Sequence, residues 1–239
     1  MRILAIDSSG LVASVAVIED DQILADYSVN YKKTHSQTLV PMLDEIKKMI
    51  DLDLSTIDAI AIAKGPGSFT GLRIGSATAK GLALALNVPI VPVGTLEGLA
   101  MNMWGYPHLI CPIMDARREQ VYTGVYRFNN ENLETVIEQC PIAVEELCEK
   151  LNGLGKKVIF LGDGCPVYSD KITELLTIPY EYAPANMNRQ RAASVGVLAG
   201  KYFAEGKIEN ALEHKPEYLR LSQAERERNE ALKSDKTCD

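Results

Sequence analysis

Apolar residues at the start of the chain occur in short runs that polar turns separate. The runs cover residues 3–6, 12–18 and 23–29, and the turns between them read D-S-S-G and E-D-D-Q. Short apolar runs bounded by turn residues are typical of strands, and three in succession predict an antiparallel meander.

The apolar period then changes to that of a helix. Between residues 39 and 50, apolar side chains recur every three or four positions, which predicts one buried stripe: Leu39, Met42, Leu43, Ile46, Met49 and Ile50. Residues 57–63 and 88–93 predict strands, and residues 70–86 and 95–103 predict helices. The first hundred residues therefore predict the order β-β-β-α-β-α-β-α.

The second half of the chain repeats this order loosely. Strands are predicted at 109–114, 121–128, 135–139 and 158–161, and helices at 143–151, 166–176 and 191–205. Two halves with the same order predict a duplicated α/β fold. We place the N-terminal lobe at 1–103 and the C-terminal lobe at 104–221. The charged tail at 222–239 has few large apolar residues, which favours a solvated helix or a disordered tail.

Two glycine-containing turns are candidate phosphate sites. Residues 65–75 read G-P-G-S-F-T-G-L-R-I-G between a predicted strand and a predicted helix, where phosphate loops lie. The string contains no lysine and has a threonine at the third glycine position, so it is neither a P-loop nor a Rossmann fingerprint. Residues 7–10 read D-S-S-G, where backbone N–H groups and one carboxylate could hold phosphates and magnesium.

A vestigial nucleotide site at these turns would use Asp7, Ser8, Ser9, Gly65 and Gly67. The alternative is that both are ordinary turns, the second of them followed by close packing of the helix against its sheet.

The predicted helix 70–86 is apolar almost all round, since Arg73 and Lys80 are its only charged residues. At about 100° per residue, one face is expected to lie on the sheet: Gly71, Gly75, Thr78, Leu82 and Leu86. The opposite face carries Leu72, Arg73, Ser76, Ala77, Lys80, Ala83 and Leu84. A helix that faces solvent should have a polar side, so we expect another element of this chain, or a partner protein, to cover this face.

Charge and cysteine content narrow the class of protein. The 239 residues carry a net charge of −7, which argues against a chain that grips RNA alone, because phosphate neutralisation supplies most RNA affinity. Five cysteines without a C-x-x-C motif favour reduced thiols in the cytoplasm. No apolar run reaches the ~18 residues of a membrane span, and no signal peptide is expected.

Catalytic signatures are weak. The histidines His35, His108 and His214 are isolated, and no H-x-x-x-H or H-E-x-x-H motif occurs, so no metal site is predicted. Ser68 lies in G-P-G-S-F rather than G-x-S-x-G. Residues 115–119, D-A-R-R-E, stand where an actin-like kinase would have a glycine-rich second phosphate loop. The turn at 162–164, G-D-G, could approach a ligand or be a plain strand-to-helix turn.

Six strings occur in the order found in one family. They are R-I-L-A-I-D-S-S-G, S-V-A-V, H-S-Q-T-L-V-P-M, G-P-G-S-F-T-G-L-R-I-G, M-D-A-R-R-E-Q-V-Y and P-E-Y-L-R, spread over residues 1–220. The chain thereby resembles the TsaB (YeaZ) family. The resemblance implies an α/β fold of the actin-like (ASKHA, ribonuclease H-like) class, with two lobes of mixed five-stranded sheets flanked by helices.

The resemblance also implies a function. A TsaB-like protein is expected to be a non-catalytic partner of TsaD, with the ATPase TsaE, in forming threonylcarbamoyladenosine at position 37 of tRNA. It would meet tRNA only through that complex, and in the cytoplasm. TsaD-like proteins carry an H-x-x-x-H metal pair on the first helix, and here His35 and Leu39 stand at that spacing. No catalytic residue and no cofactor is expected, apart from weak or shared nucleotide binding in the complex.

Partner binding is expected on the first two helices of the N-terminal lobe. The residues are His35, Leu39, Leu72, Arg73, Ser76, Ala77, Lys80, Ala83 and Leu84. The same face could pair with itself, so a homodimer is expected for the isolated chain. The alternatives are an ATP-dependent phosphotransferase of the actin-like fold and, because such relatives once carried a glycoprotease label, a metallopeptidase.

Overall fold

Two mixed five-stranded sheets form the frame of the protein. The computed structural model describes residues 1–31 and 34–220. The predicted tail at 222–239 lies outside the described residues. Among the described residues, no helix combines the length and apolar character that crossing a bilayer requires.

The first sheet and its helices come from the first hundred residues. Its strands are β1 (Arg2–Asp7), β2 (Ala13–Glu19), β3 (Gln22–Val29), β4 (Ala59–Gly65) and β5 (Ile90–Gly94). The helices between and after them are α1 (His35–Met49), α2 (Phe69–Leu86) and α3 (Thr95–Ala100). The order in the sheet is β3-β2-β1-β4-β5. Strands β1, β2 and β3 pair antiparallel, and β1, β4 and β5 pair parallel.

The second sheet has the same arrangement. Its strands are β6 (Leu109–Asp115), β7 (Gln120–Asn129), β8 (Asn132–Ala143), β9 (Val158–Leu161) and β10 (Tyr180–Tyr182). The helices of this half are α4 (Val144–Leu154), α5 (Cys165–Leu175) and α6 (Ala192–Ala204). The order β8-β7-β6-β9-β10 matches that of the first sheet strand for strand. The predicted fold class and its duplication are confirmed.

Strands β1, β2 and β4 of the first sheet are buried on both faces, which explains why they are continuously apolar rather than alternating. Successive side chains of a strand point to opposite faces. Leu4 and Ile6 of β1 pack on the side of α1 and α2. Ile3 and Ala5 pack on the other side, against α6.

Helix α6 returns to the first sheet after the whole second half of the chain. It packs on β1 and β2, where Val195 and Leu198 join the core around Ile3. At Gly196 the fit is so close that a Cβ would overlap the side chain of Ile18. The lobe boundary at residues 103/104 stays a prediction. Helix α6 lies in the second half of the sequence but packs on the sheet formed by the first half.

The chain then runs back along the first sheet in a segment that we call the strap, residues 208–220. Ile90 of β5 and Glu209 form an antiparallel bridge with N–O distances of 2.9 and 2.8 Å. His214 is buried, and its Nδ1 lies 2.7 Å from a carboxylate oxygen of Glu209. Lys80 of α2 donates to the carbonyl oxygen of His214 at 3.1 Å. The strap therefore covers one flank of α2.

Candidate functional site

The two glycine-containing turns are packed directly against each other. The N–H of Ser68 donates to the carbonyl oxygen of Ser9 at 2.7 Å, and the hydroxyl of Ser8 donates to the carbonyl oxygen of Gly71 at 2.9 Å. A Cβ at Gly67 would overlap the Ser9 carbonyl oxygen, and one at Gly71 would overlap that of Ser8. Glycine is therefore required for close backbone approach, as the ordinary-turn alternative predicts.

The carboxyl group of Asp7 is satisfied inside the turn. It is 1% exposed, and its Oδ1 accepts hydrogen bonds from the N–H of Ser9 at 2.9 Å and from the Ser9 hydroxyl at 2.6 Å. Burial raises the pKa of Asp7 to about 6, against the opposing effect of the Ser9 hydrogen bonds. The carboxylate is thus directed into the protein and does not line the cleft.

A cleft of about 610 Å³ lies between the two halves of the molecule. The first sheet and its helices contribute Ser9, Gly10, His35, Gly67, Ser68 and Thr70, and the second contributes Met114, Asp115, Ala116, Arg117, Tyr122 and Asp163. Of the five residues predicted for a nucleotide site, only Ser9 and Gly67 line this cleft. The other three are placed elsewhere: Asp7 and Ser8 are buried, and a Cβ at Gly65 would overlap the carbonyl oxygen of Glu217 in the strap.

These residues do not fit a nucleotide held as in actin-like ATPases. The only carboxylate of the first turn, that of Asp7, is turned away from the cleft, and the Ser8 hydroxyl is already bonded to Gly71. The strap occupies the space beside Gly65. The two turns are packed on each other and do not form the open cradle that phosphates need.

Across the cleft, side chains brace the hairpin at residues 115–119. A carboxylate oxygen of Asp115 accepts from the hydroxyl of Tyr168 at 2.9 Å and from the N–H of Arg117 at 2.8 Å. The N–H of Asp115 donates to the carboxylate of Asp163 at 3.3 Å. Desolvation raises the pKa of Asp163. The turn at 162–164 was predicted either to approach a ligand or to be a plain turn. Its Asp163 carboxylate accepts a hydrogen bond from the hairpin backbone and so supports the hairpin.

The P-E-Y-L-R string joins the two halves of the molecule. The N–H of Glu217 donates to the carbonyl oxygen of Lys64 at 2.7 Å, and its carboxylate contacts Lys64 Nζ at 3.0 Å and Gln139 Nε2 at 2.9 Å. Arg220 donates to the carbonyl oxygen of Ala116 at 2.5 Å. Only the family resemblance singles out this string in the sequence, because no periodicity marks an extended segment that bonds to several distant elements.

The two residues at the H-x-x-x-H spacing have different environments. Leu39 is 1% exposed and packs in the core with Met42 and Ile46. His35 lies at the cleft, and its Nε2 is 2.9 Å from the carbonyl oxygen of Gly10. In the part of the chain that the structure describes, no three His, Cys, Asp or Glu side chains are grouped to hold a metal ion.

The predicted outer face of α2 needs correction. Four residues expected at the partner surface are buried within the chain: Leu39, Leu72, Ser76 and Ala83. Three others are exposed: Arg73, Ala77 and Leu84. The helical wheel assumed one buried side, whereas α2 is covered by the sheet, by α1 and by the strap. Helix α1 and the strap therefore cover part of the α2 face that was expected to need a covering element. Partner binding by the residues that remain exposed stays a prediction.

Comparisons with known proteins relate the chain to TsaD through a family model and to TsaB through individual relatives. A family model described as TsaD, tRNA N6-adenosine threonylcarbamoyltransferase, matches residues 22–228. The tRNA threonylcarbamoyladenosine biosynthesis protein TsaB of Bacillus subtilis is 36% identical over 225 residues, which are 94% of this chain and 96% of that protein. The Escherichia coli protein of the same name is 34% identical over 233 residues, with 92% and 95% covered. The solved structure of YeaZ from Pseudomonas aeruginosa superposes with a TM-score of 0.79 at 26% identity, covering 91% of this chain and 99% of that one.

Proposed function

Because the chain belongs to the TsaB family of tRNA threonylcarbamoyladenosine biosynthesis proteins, we propose that it is a non-catalytic partner of a TsaD-type transferase. The observation that carries the proposal is the burial of Leu39. The resemblance places the second metal-binding histidine of a TsaD-type enzyme at this position, and here an aliphatic side chain is packed in the core instead. A leucine offers no atom to a metal ion, so the transfer chemistry is assigned to the partner.

The cleft also favours a non-catalytic partner over an ATP-dependent phosphotransferase. A kinase of this fold needs a second glycine-rich phosphate loop and a free carboxylate beside the phosphates. This chain has the charged hairpin at 115–119, and the carboxyl of Asp7 is bonded within its own turn. We therefore keep ATP-dependent phosphotransfer as the second candidate only, and propose that any nucleotide binding is weak or shared with the partners.

The exposed part of α2 is the proposed docking surface for TsaD. Ala77 and Leu84 are exposed on α2, and Val40 is exposed on the neighbouring α1. Exposed apolar surface of this kind often marks an interface. Arg73 and Lys80 would lie at its rim, where charges set orientation more than affinity. A second copy of the chain could use the same surface, which would give a homodimer in isolation.

TsaE completes the proposed assembly, and tRNA is reached only through it. The net charge of −7 supports this dependence, because an acidic chain lacks the overall attraction to RNA that autonomous binding needs. We place the assembly in the cytoplasm.

Reconstitution tests the proposal. The chain, TsaD and TsaE of the same organism are purified separately, and threonylcarbamoyladenosine formation on tRNA is measured with an activated threonylcarbamoyl donor and ATP supplied and with each protein omitted in turn. We expect product only when the chain and TsaD are both present, and none from the chain alone. ATP turnover by the isolated chain at about 1 s⁻¹ or faster, an ordinary enzyme rate, would favour the phosphotransferase instead.

A further inference from the structure

The hairpin at residues 115–119 presents two arginines whose charges are not neutralised within the described chain. Arg117 lines the cleft and Arg118 beside it is exposed, and neither forms an ion pair with a described residue. The nearby carboxylates are engaged with other groups. Glu119 faces Lys171 at 3.7 Å, and Asp115 accepts hydrogen bonds from Tyr168 and from the backbone of Arg117.

The backbone of this hairpin is strained. Arg117, Arg118 and Glu119 have φ values of 62°, 55° and 58°. Three successive non-glycine residues in the left-handed region are unfavourable, and such conformations persist only where the surroundings impose them. Here the surroundings do so, since Tyr168, Asp163 and Arg220 all bond to residues of the hairpin. These bonds fix Asp115 and Ala116, and so the backbone that leads directly into the two arginines.

The opposite wall of the cleft adds to the positive potential. Ser68 and Thr70 line it at the N-terminus of the 18-residue helix α2, where the helix dipole and free N–H groups favour an anion. Arg117 lines the cleft opposite this helix end and Arg118 is exposed beside it, on a chain whose net charge is −7. Arg220 lines the same cleft, as do the carboxylates of Asp115 and Asp163. Such a site calls for an anionic ligand from outside the chain.

We propose that Arg117 and Arg118 bind backbone phosphates of the tRNA in the assembled complex, an inference that rests on the proposed function. The guanidinium group suits phosphate, because its planar fork of donors matches two phosphate oxygens. A free nucleotide is the less suitable ligand, since the turns that would cradle its phosphates are packed on each other. Phosphate contacts of this kind position RNA without reading its sequence.

The test compares a double variant with a matched control in the complete complex. Arg117→Gln with Arg118→Gln removes two charges at the cleft. Lys150→Gln with Lys156→Gln removes two charges outside the cleft, one on α4 and one just before β9. Binding of the cognate tRNA is followed by fluorescence anisotropy over a range of salt concentrations. The cleft variant should bind roughly tenfold more weakly, and its slope of log K against log salt should be smaller by about 1 to 2. The control should match the wild type.

A second variant and one further measurement make the result decisive. Arg118→Glu, at an exposed position, changes the charge by the same two units and should weaken tRNA binding to a similar extent, with an unchanged circular dichroism spectrum. If both cleft variants bind tRNA with the wild-type affinity and salt slope, the inference is wrong while the proposed function stands. If they lose affinity for TsaD or TsaE and, once assembled, bind tRNA normally, the arginines contact a protein and the inference is equally wrong. Failure of the wild-type chain to assemble with TsaD would overturn the proposed function and this inference together.

Discussion

The ring of Tyr218 lies flat on the ring of Phe69, with 4.5 Å between the ring centroids and 6° between the ring planes. Tyr218 belongs to the strap, and Phe69 is the first residue of α2. Nε of Arg73, one turn further along the helix, donates to the Tyr218 hydroxyl at 3.1 Å. The stack thus fixes the end of the strap to the helix that carries the proposed docking surface.

Removal of this stack should weaken the fold measurably. Tyr218→Ala is expected to lower the free energy of unfolding by about 1–3 kcal/mol, because it loses ring burial and aromatic stacking at a partly exposed site. Tyr218→Phe keeps the stack and loses only the hydrogen bond with Arg73, so a loss of about 1 kcal/mol or less is expected. Urea unfolding measures both. Equal stability of the Ala and Phe variants would show that the stack contributes nothing.

Gly75 and Ser8 should be energetically coupled. A Cβ at Gly75 would overlap the hydroxyl oxygen of Ser8, so Gly75→Ala is expected to cost about 1–3 kcal/mol. Ser8→Ala removes that oxygen and the hydrogen bond with Gly71, at about 1 kcal/mol. In the double variant the overlap is gone. Its loss of unfolding free energy should therefore be smaller than the sum of the two single-variant losses by about 1 kcal/mol or more.

Gly71→Ala is the control for this cycle. Its Cβ would overlap the Ser8 carbonyl oxygen, a backbone atom. Ser8→Ala leaves that atom in place, so it should not rescue Gly71→Ala. Strict additivity of Gly75→Ala and Ser8→Ala in urea unfolding would contradict the packing described here.

Ionisation of Asp7 should make stability depend on pH. Burial raises the pKa of this carboxyl to about 6 from the ordinary 3.8. Between these values the folded protein holds a proton that the unfolded chain has released, so stability falls as pH rises from about 4 to about 6 and then levels off. Asp7→Asn keeps an acceptor oxygen for Ser9 and cannot titrate. Between pH 4 and pH 7, the free energy of unfolding of Asp7→Asn should rise relative to that of the wild type by about 2–3 kcal/mol.

The comparison of variant with wild type cancels the titration of the other carboxyl groups. Urea midpoints measured across this pH range for both proteins provide the test. Parallel curves would mean that Asp7 titrates with an ordinary pKa in the folded state.

The exposed side chains of α2 should govern TsaD binding. Leu84 is 54% exposed, so Leu84→Glu should leave the fold intact and bring an unpaired charge into the interface. Burial of an unpaired charge costs several kcal/mol, which corresponds to a loss of affinity of about a hundredfold or more. Ala77→Arg is expected to act in the same way.

Val167 on α5 provides the matched control, since it is 57% exposed on the other half of the molecule. Calorimetry with TsaD should show wild-type affinity for Val167→Glu. Normal TsaD binding by folded Leu84→Glu and Ala77→Arg would place the docking surface elsewhere.

Apolar periodicity was sufficient to predict most of the fold. The three-strand meander and strands β4 and β5 follow from short apolar runs bounded by turn residues, and the long helices follow from the period of 3.6. Strand β10 was not predicted, because Tyr180–Tyr182 has only three residues and too short a pattern to recognise. The position of α6 on the first sheet was missed because periodicity predicts that a face is buried without predicting which element buries it.

The candidate site was predictable only in part. For the glycine string, sequence alone left a phosphate site and an ordinary tight turn as alternatives, and the close packing of Gly67 and Gly71 on backbone atoms is what the second predicts. The burial of Leu72, Ser76 and Ala83 was not foreseen, because it depends on the strap and on α1 as well as on the sheet. Glu217 and Tyr218 contact residues that are far away along the chain, and no local pattern encodes such pairings.

The return of α6 to the first sheet has a consequence for synthesis on the ribosome. All five strands of that sheet have been made when Gly94 is added, yet the helix that covers one face ends at Ala204, roughly a hundred residues later. At about 5–20 residues per second, the nascent chain exposes that face, including Ile3 and Val91, for several seconds or more. The part of the protein that is translated first is thus among the last to be completed.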